Sequence, residues 1–268
     1  MNRLALIGAS AFIAMAAALF CVVVVGLPGK PGFYFWRVLS GKARGGGYAD
    51  VNNVRIYFET YGSGSPVLIL HGGLGRSEDM RYQIRALAST RFVIAADSRG
   101  HGRSTDADVP LTYSLMAEDM VKLLDQLDIA QVDVVGWSDG GIIGLDLALH
   151  YPERVRRLVS ISSNYDVDGL INKPEFDVAS SPDQPFARKV IRMWQTLPHY
   201  NLNELGKINA RTLIIAGEFD LVKRTHSDQL AKAISKSKEE IIDGATHFLI
   251  TEKSDIVNSA ILEFLDER

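Results

Sequence analysis

Short apolar runs rich in β-branched residues alternate along the chain with stretches whose apolar positions recur every three or four residues. Val67–Leu70, Phe92–Ala96, Leu158–Ile161, Thr212–Ala216 and Glu240–Ile242 read as strands, most of them buried on both faces. Glu78–Ala88, Leu115–Leu127, Asp228–Ile234 and Ser254–Leu265 read as helices; in the second of these Leu123, Leu124 and Leu127 share a face. Tyr48–Thr60 reads as a hairpin turning at Asn52-Asn53. Repeated alternation of this kind predicts an α/β fold, with a mostly parallel central sheet and helices on both of its faces. No internal repeat interrupts it.

Two stretches depart from the rhythm. Leu4 to Leu27 carries no charged residue and is long enough to span a bilayer. Phe33-Tyr34-Phe35-Trp36 and Arg37 follow it as an interfacial belt would. The expectation is an N-terminal apolar helix over residues 1–27 acting as a single-pass anchor, with the lipid bilayer as its partner. A cleaved signal segment is the rival reading. Lys30, Arg37, Lys42 and Arg44 favour a domain on the cytoplasmic side, whereas a short tail with one Arg is also how exported chains begin, and both sides stay open. Residues 28–47, ending in Gly45-Gly46-Gly47, read as a linker to a domain over 48–268. Within that domain, about 164–210 forms an insertion, Asp- and Pro-rich and then helical, expected to be a short helical lid. Phe176, Trp194 and Tyr200 are its candidates for lining a substrate pocket.

Composition narrows the possibilities only a little. The 268 residues fit one domain with extensions, and a net charge of −3 leaves no basic footprint for nucleic acid. The single cysteine, Cys21, lies in the N-terminal apolar run, so the domain has no disulfide framework and no cysteine nucleophile. No Cys/His cluster has metal-ligand spacing.

The chemistry concentrates in Val132–Tyr151. A β-branched strand breaks at Gly136-Trp137-Ser138-Asp139-Gly140, and an apolar helix follows until Pro152 ends it. Strand, Gly-x-Ser-x-Gly and helix in that order form a nucleophile elbow, in which the flanking glycines permit the tight turn that exposes the serine hydroxyl. Gly140, Gly141 and Gly144 each weaken that helix, a cost that close packing at the elbow explains.

Serine needs a base, and the base needs an orienting carboxylate. His247, in the loop after the last strand, is the candidate base; His150, His199 and His226 fit structural roles better. Asp220, directly after the strand Thr212–Ala216, is the candidate acid, with Glu218 in reserve and Asp166 and Asp168 less suited. Oxyanion-hole N–H groups are expected from Asp139 and from Gly73 of His71-Gly72-Gly73-Leu74-Gly75. His71 is expected to fix that loop rather than act as a base. The Asp139 carboxylate has two readings: capping the helix that follows, or binding a substrate ammonium group. Asp139 and Trp194 are the candidate substrate-binding residues.

Taken together, these segments and Asp97-Ser98-Arg99-Gly100-His101-Gly102-Arg103-Ser104 resemble the α/β-hydrolase superfamily, in order, over about residues 48–268. Gly-Trp-Ser-Asp-Gly-Gly looks most like biphenyl-hydrolase-like and proline-iminopeptidase-like members; Ala245 stands where glycine is common. The resemblance implies that Asp97–Ser104 is a structural turn. It implies acyl transfer through a covalent intermediate on Ser138, with a small-molecule ester or amide as substrate and no cofactor. Serine at the elbow argues against epoxide hydrolases and haloalkane dehalogenases, which use aspartate there. Carbon–carbon bond hydrolases, acyltransferases, perhydrolases and non-catalytic ligand-binding members remain alternatives.

Overall fold

The computed structural model describes residues 29–171 and 185–267. The chain divides into two units, residues 1–44 and 45–268. In the first, α1 (Gly29–Leu39) carries the four aromatics of the expected interfacial belt: Phe33 stacks on Trp36, while Tyr34 is exposed.

The second unit is built on an eight-stranded sheet in the order β1-β2-β4-β3-β5-β6-β7-β8. These strands are β1 (Ala43–Val51), β2 (Val54–Gly62), β3 (Ser65–Leu70), β4 (Arg91–Ala96), β5 (Val132–Trp137), β6 (Val155–Ile161), β7 (Arg211–Phe219) and β8 (Ser237–Thr246). From β4 through β8 each neighbouring pair is parallel, and β2 runs antiparallel to β4. Every residue of β5 is buried, as a strand covered on both faces requires. The covering helices include α2 (Arg81–Leu87), α3 (Tyr113–Gln126), α4 (Asp139–His150), α7 (Arg224–Ala233) and, after the short α8 (Leu249–Glu252), α9 (Ser254–Asp266). One continuous core joins Leu68, Ile94 and Val134 of the sheet to Met116, Met120 and Leu124 of α3 and Ile143 and Leu147 of α4. Parallel strands with helical crossovers bring all their C-terminal ends to one edge, and the loops that carry chemistry collect there.

Asn52 and Asn53 turn the β1–β2 hairpin with φ of 41° and 63°, the positive values a two-residue turn demands and asparagine tolerates. The start of the domain differs from expectation. Residues 28–47, read as a linker, carry α1 and the opening half of β1. Gly46 serves the sheet there: a Cβ on it would lie 2.6 Å from the Phe58 carbonyl oxygen of β2. Such a run resembles a flexible spacer in composition while its backbone is paired.

The membrane assignment is corrected. The Leu4–Leu27 segment on which it rested lies outside the described residues. Among the described residues no helix is long and apolar enough to cross a membrane. α1, with 11 residues, reaches only about half a hydrocarbon core. Neither the single-pass anchor nor the bilayer partner is retained.

Of the expected lid, 164–171 and 185–210 are described; Phe176 lies outside. They form a short 3₁₀ turn at Val167–Gly169, α5 (Pro185–Thr196) and α6 (Leu202–Leu205). α5 buries Ala187, Val190, Ile191 and Met193 on one side, which is the roughly one-turn spacing of its sequence.

Candidate active site

Ser138 occupies the turn between β5 and α4 with φ 55° and ψ −122°, a conformation that costs a non-glycine residue of order 1–3 kcal/mol. The surroundings hold it there. Its N–H donates to Ile161 O at 2.8 Å, and its carbonyl accepts from the N–H groups of Gly141 and Ile142 at 2.9 and 3.1 Å. The flanking glycines are required by close approach: a Cβ on Gly136 would sit 2.1 Å from Gly140 O, and one on Gly140 would sit 2.3 Å from Leu70 O.

His247 and Asp220 converge on this serine from the loops after β8 and β7. The Ser138 hydroxyl and His247 Nε2 are 3.0 Å apart, and His247 Nδ1 lies 2.7 Å from Asp220 Oδ1. Trp137 Nε1 donates to the His247 carbonyl at 2.9 Å and so ties the histidine loop to the elbow strand. Asp220 also accepts hydrogen bonds from the Ser162 hydroxyl and from the N–H groups of Gly217 and Val222. Burial alone pushes its carboxyl up. The hydrogen bond and charge of His247, with the donors Ser162 and Val222, outweigh burial and hold it below the usual carboxylate range. Ser162 is a member of this network that the sequence did not single out; it follows β6 in a run of Ser and Asn with nothing to mark it.

The reserve candidates lie elsewhere. Glu218 accepts from Gly244 N at 2.8 Å. Asp166 pairs with His199 at 2.8 Å, Asp168 with His226 at 3.1 Å and Asp146 with His150 at 3.0 Å. Three histidines weighed against His247 are thus each engaged with an acid away from Ser138.

The loop after β3 packs directly on the elbow. A Cβ on Gly72 would meet the Trp137 ring at 2.9 Å and Ser138 Cβ at 3.2 Å. One on Gly73 would meet Asp139 Oδ2 at 2.3 Å and Trp194 at 2.4 Å. His71 holds the loop's shape: its Nδ1 lies 2.7 Å from Gly72 O, and its Nε2 accepts from Ser98 N at 3.0 Å. That arrangement places the proton on Nδ1, and burial lowers the ring's pKa, so His71 stays neutral. Asp97 caps the neighbouring turn, accepting from Ser77 N at 2.7 Å and Arg103 N at 2.9 Å.

The Asp139 side chain does something neither reading described. Its Oδ1 accepts from the Tyr113 hydroxyl at 2.9 Å and from Trp194 Nε1 at 3.0 Å, and its Oδ2 lies 2.8 Å from the same indole nitrogen. Its partners are thus two side chains, one at the start of α3 and one on α5. Burial raises the carboxyl pKa to about 6, against the opposing effect of the Trp194 and Tyr113 hydrogen bonds and the nearby His247. Tyr113 had no distinguishing signal in sequence beyond its place one residue after the helix cap Thr112.

These groups line one cavity of about 220 Å³. Ser138, Asp139, His247, Gly72, Gly73 and Tyr113 form one part of its wall, and Trp137, Trp194, Leu170, Leu197, Leu221 and Phe248 much of the remainder. Among the described residues, no group of three or more His, Cys, Asp or Glu is placed to hold a metal ion.

Comparison with known proteins bears on the family and the fold. A family model for the alpha/beta hydrolase fold matches residues 65–196. The human serine hydrolase BPHL is 31% identical over 88% of this chain and 93% of its own. The chain belongs to the α/β-hydrolase family. The RutD protein of Azorhizobium caulinodans is 28% identical, covering 82% of this α/β hydrolase and 98% of its own length. Among solved structures, a hydrolase from Pseudomonas aeruginosa superimposes with a TM-score of 0.73 at 22% identity, covering 83% of this chain and 98% of that one, a likeness of fold.

Proposed function

We propose that this α/β hydrolase cleaves an ester, or a thioester or amide, of a small molecule through a covalent acyl-enzyme on Ser138. The observation that carries the reading is the unbroken hydrogen-bonded chain Ser138–His247–Asp220, at 3.0 and 2.7 Å, opening into a cavity. Ser138 Oγ attacks the acyl carbonyl carbon as His247 Nε2 takes its proton. Asp220 holds the imidazole in the orientation and tautomer that leave Nε2 free to accept. The N–H groups of Gly73 and Asp139 stabilise the oxyanion of the tetrahedral intermediate. His247 then returns the proton to the leaving oxygen, and the alcohol departs. Water attacks the acyl-enzyme with His247 again as base; the acid leaves and Ser138 regains its proton.

Asp139 and Trp194 stand in the cavity wall beside Gly73, the proposed oxyanion donor. Three of the carboxylate's hydrogen-bonding positions are already taken by Tyr113 and Trp194, so an ammonium group would have to compete with them. The reading therefore takes Asp139 as a structural wall rather than an amine site. A fluorophosphonate probe tests the proposal. Stoichiometric labelling at Ser138, lost in His247→Ala, is the expected result. A Ser138 that stays unlabelled in folded protein would mean that the fold serves as a non-catalytic binding scaffold.

A further inference from the structure

Large apolar side chains left exposed are informative when they gather in one place. In the unit beginning at Gly45, eight large hydrophobic residues are exposed among the described residues, and five of them lie on chain segments at the C-terminal edge of the sheet, where the Ser138 cavity opens. They are Phe219 (64% exposed), Phe248 (53%), Leu221 (51%), Leu74 (49%) and Ile171 (44%). They come from the chain after β3, after β6, at and after the end of β7 and after β8. Separate loops thus converge on one edge of the sheet, each bringing an apolar side chain there. Ile171, Leu221 and Phe248 line the cavity itself, so the exposed rim is continuous with its interior.

The rim is lopsided, and the catalytic geometry says which part of a substrate meets its larger side. The leaving oxygen must approach His247 Nε2 to collect its proton, so the alcohol leaves past His247. Phe248 follows that histidine, its ring edge-on to the imidazole with centroids 5.8 Å apart. Leu221 follows Asp220, and Phe219 pairs in the sheet with Thr246, the residue before His247. Beside the proposed oxyanion hole the wall is closed instead by Gly73, Asp139, Tyr113 and Trp194 in contact with one another, which leaves the acyl group the enclosed part of the cavity.

We propose that Phe219, Leu221 and Phe248 form an outer subsite for a bulky apolar alcohol, and that the substrates are esters of a compact acyl group with a long alkyl or aryl leaving group. The proposal rests on the hydrolase reading of the site and deepens it. A chain lying on this rim buries part of each methylene, so affinity for the transition state grows with the length of the alcohol. Acyl chains longer than the enclosed cavity holds gain nothing by comparison.

Two ester series separate the two sides. Ethyl, butyl, hexyl and octyl acetates share one acyl group and leaving groups of closely similar basicity; ethyl acetate, butyrate and octanoate vary the acyl group alone. The expected result is a rise in kcat/KM of roughly tenfold from ethyl to hexyl acetate, from four methylenes each about half buried. The ethyl ester series should level off or fall beyond butyrate. Phe248→Ser and Phe219→Ser, both surface changes, should each reduce the hexyl-to-ethyl ratio to below threefold. A flat alkyl acetate series in an enzyme that hydrolyses ethyl acetate would overturn the subsite while leaving the hydrolase reading intact. So would a hexyl-to-ethyl ratio unchanged in both variants. Failure to hydrolyse any ester, together with an unlabelled Ser138, would overturn the hydrolase reading and the subsite with it.

Discussion

The two ends of β5 each carry a buried aspartate, and the two are held in opposite ways. At the N-terminal end, Asp133 is fully buried and receives a two-pronged contact from Arg156, with Nε and Nη2 at 2.8 and 2.6 Å; Arg157 stands 3.7 Å away. Just past the C-terminal end, Asp139 is buried with only neutral donors, a phenol and an indole. Among the described residues no arginine or lysine lines its cavity. A guanidinium donates two parallel hydrogen bonds to its carboxylate and makes a rigid tie between strands. Burial raises the Asp139 pKa to about 6 against the weaker opposing effect of its neutral donors and of His247, so the proton becomes negotiable. The same strand is built for permanence at one end and stores strain and movable charge at the other, where Ser138 sits at positive φ.

The largest expected effect sharpens this division. Ser138→Ala, which removes the proposed nucleophile, should lower ester turnover by roughly 10⁴-fold or more. Thermal unfolding should change little, because the strained turn persists with either side chain. Arg156→Ala should do the reverse. It leaves Asp133 buried with only the more distant Arg157, costing about 2–3 kcal/mol of stability, while kcat/KM stays within a factor of two. Turnover by initial rates and stability by urea unfolding check both. A stability loss in Ser138→Ala as large as that in Arg156→Ala would erase the contrast between the two ends.

Gly73→Ala comes next. Its Cβ has no room between Asp139 Oδ2 and the Trp194 ring, at 2.3 and 2.4 Å, so the loop must retreat from the elbow. The retreat takes the Gly73 N–H away from the proposed oxyanion position. Loss of one such donor lowers kcat by about 10²–10³-fold. Because ground-state binding does not use that hydrogen bond, KM should move by less than fivefold. A kcat within threefold of wild type would remove Gly73 from the oxyanion hole.

Much of this was legible in sequence because the features concerned are local. The elbow announces itself through a β-branched strand, two spaced glycines and an apolar helix, all within about twenty residues. Asp220 and His247 could be placed because each follows a recognisable strand on to the sheet edge where catalytic loops gather. What stayed hidden depends on contacts between distant segments. Trp194 was read as a pocket residue, but nothing in the spacing indicates that its indole nitrogen meets a carboxylate 55 residues away. Tyr113 and Ser162 are ordinary at their own positions and acquire roles only through Asp139 and Asp220. The triglycine run failed as a linker for a related reason. Gly46 answers to the Phe58 carbonyl of a neighbouring strand, a constraint that composition does not carry.

The smallest effect expected tests the chemical half of the contrast directly. Burial raises the Asp139 pKa from 3.8 in an unperturbed carboxyl to about 6 in the native state. Between these values the folded protein keeps a proton that the unfolded chain releases. Stability from this group is therefore greatest at low pH, falls as the pH rises through the window, and is exhausted above about pH 7. In Asp139→Asn the group no longer titrates. Asparagine also presents an N–H₂ toward donors that expect an acceptor, a cost that does not depend on pH. The difference in unfolding free energy between variant and wild type should thus shift in favour of the variant by about 1–1.5 kcal/mol from pH 5 to pH 7.5. Titrations of the other carboxyls and histidines cancel in the difference, since both proteins share them. Urea unfolding of the two proteins at both pH values measures the shift. A difference that does not change with pH would mean that Asp139 ionises like an exposed carboxylate, and that its neutral partners compensate its charge as fully as Arg156 compensates that of Asp133.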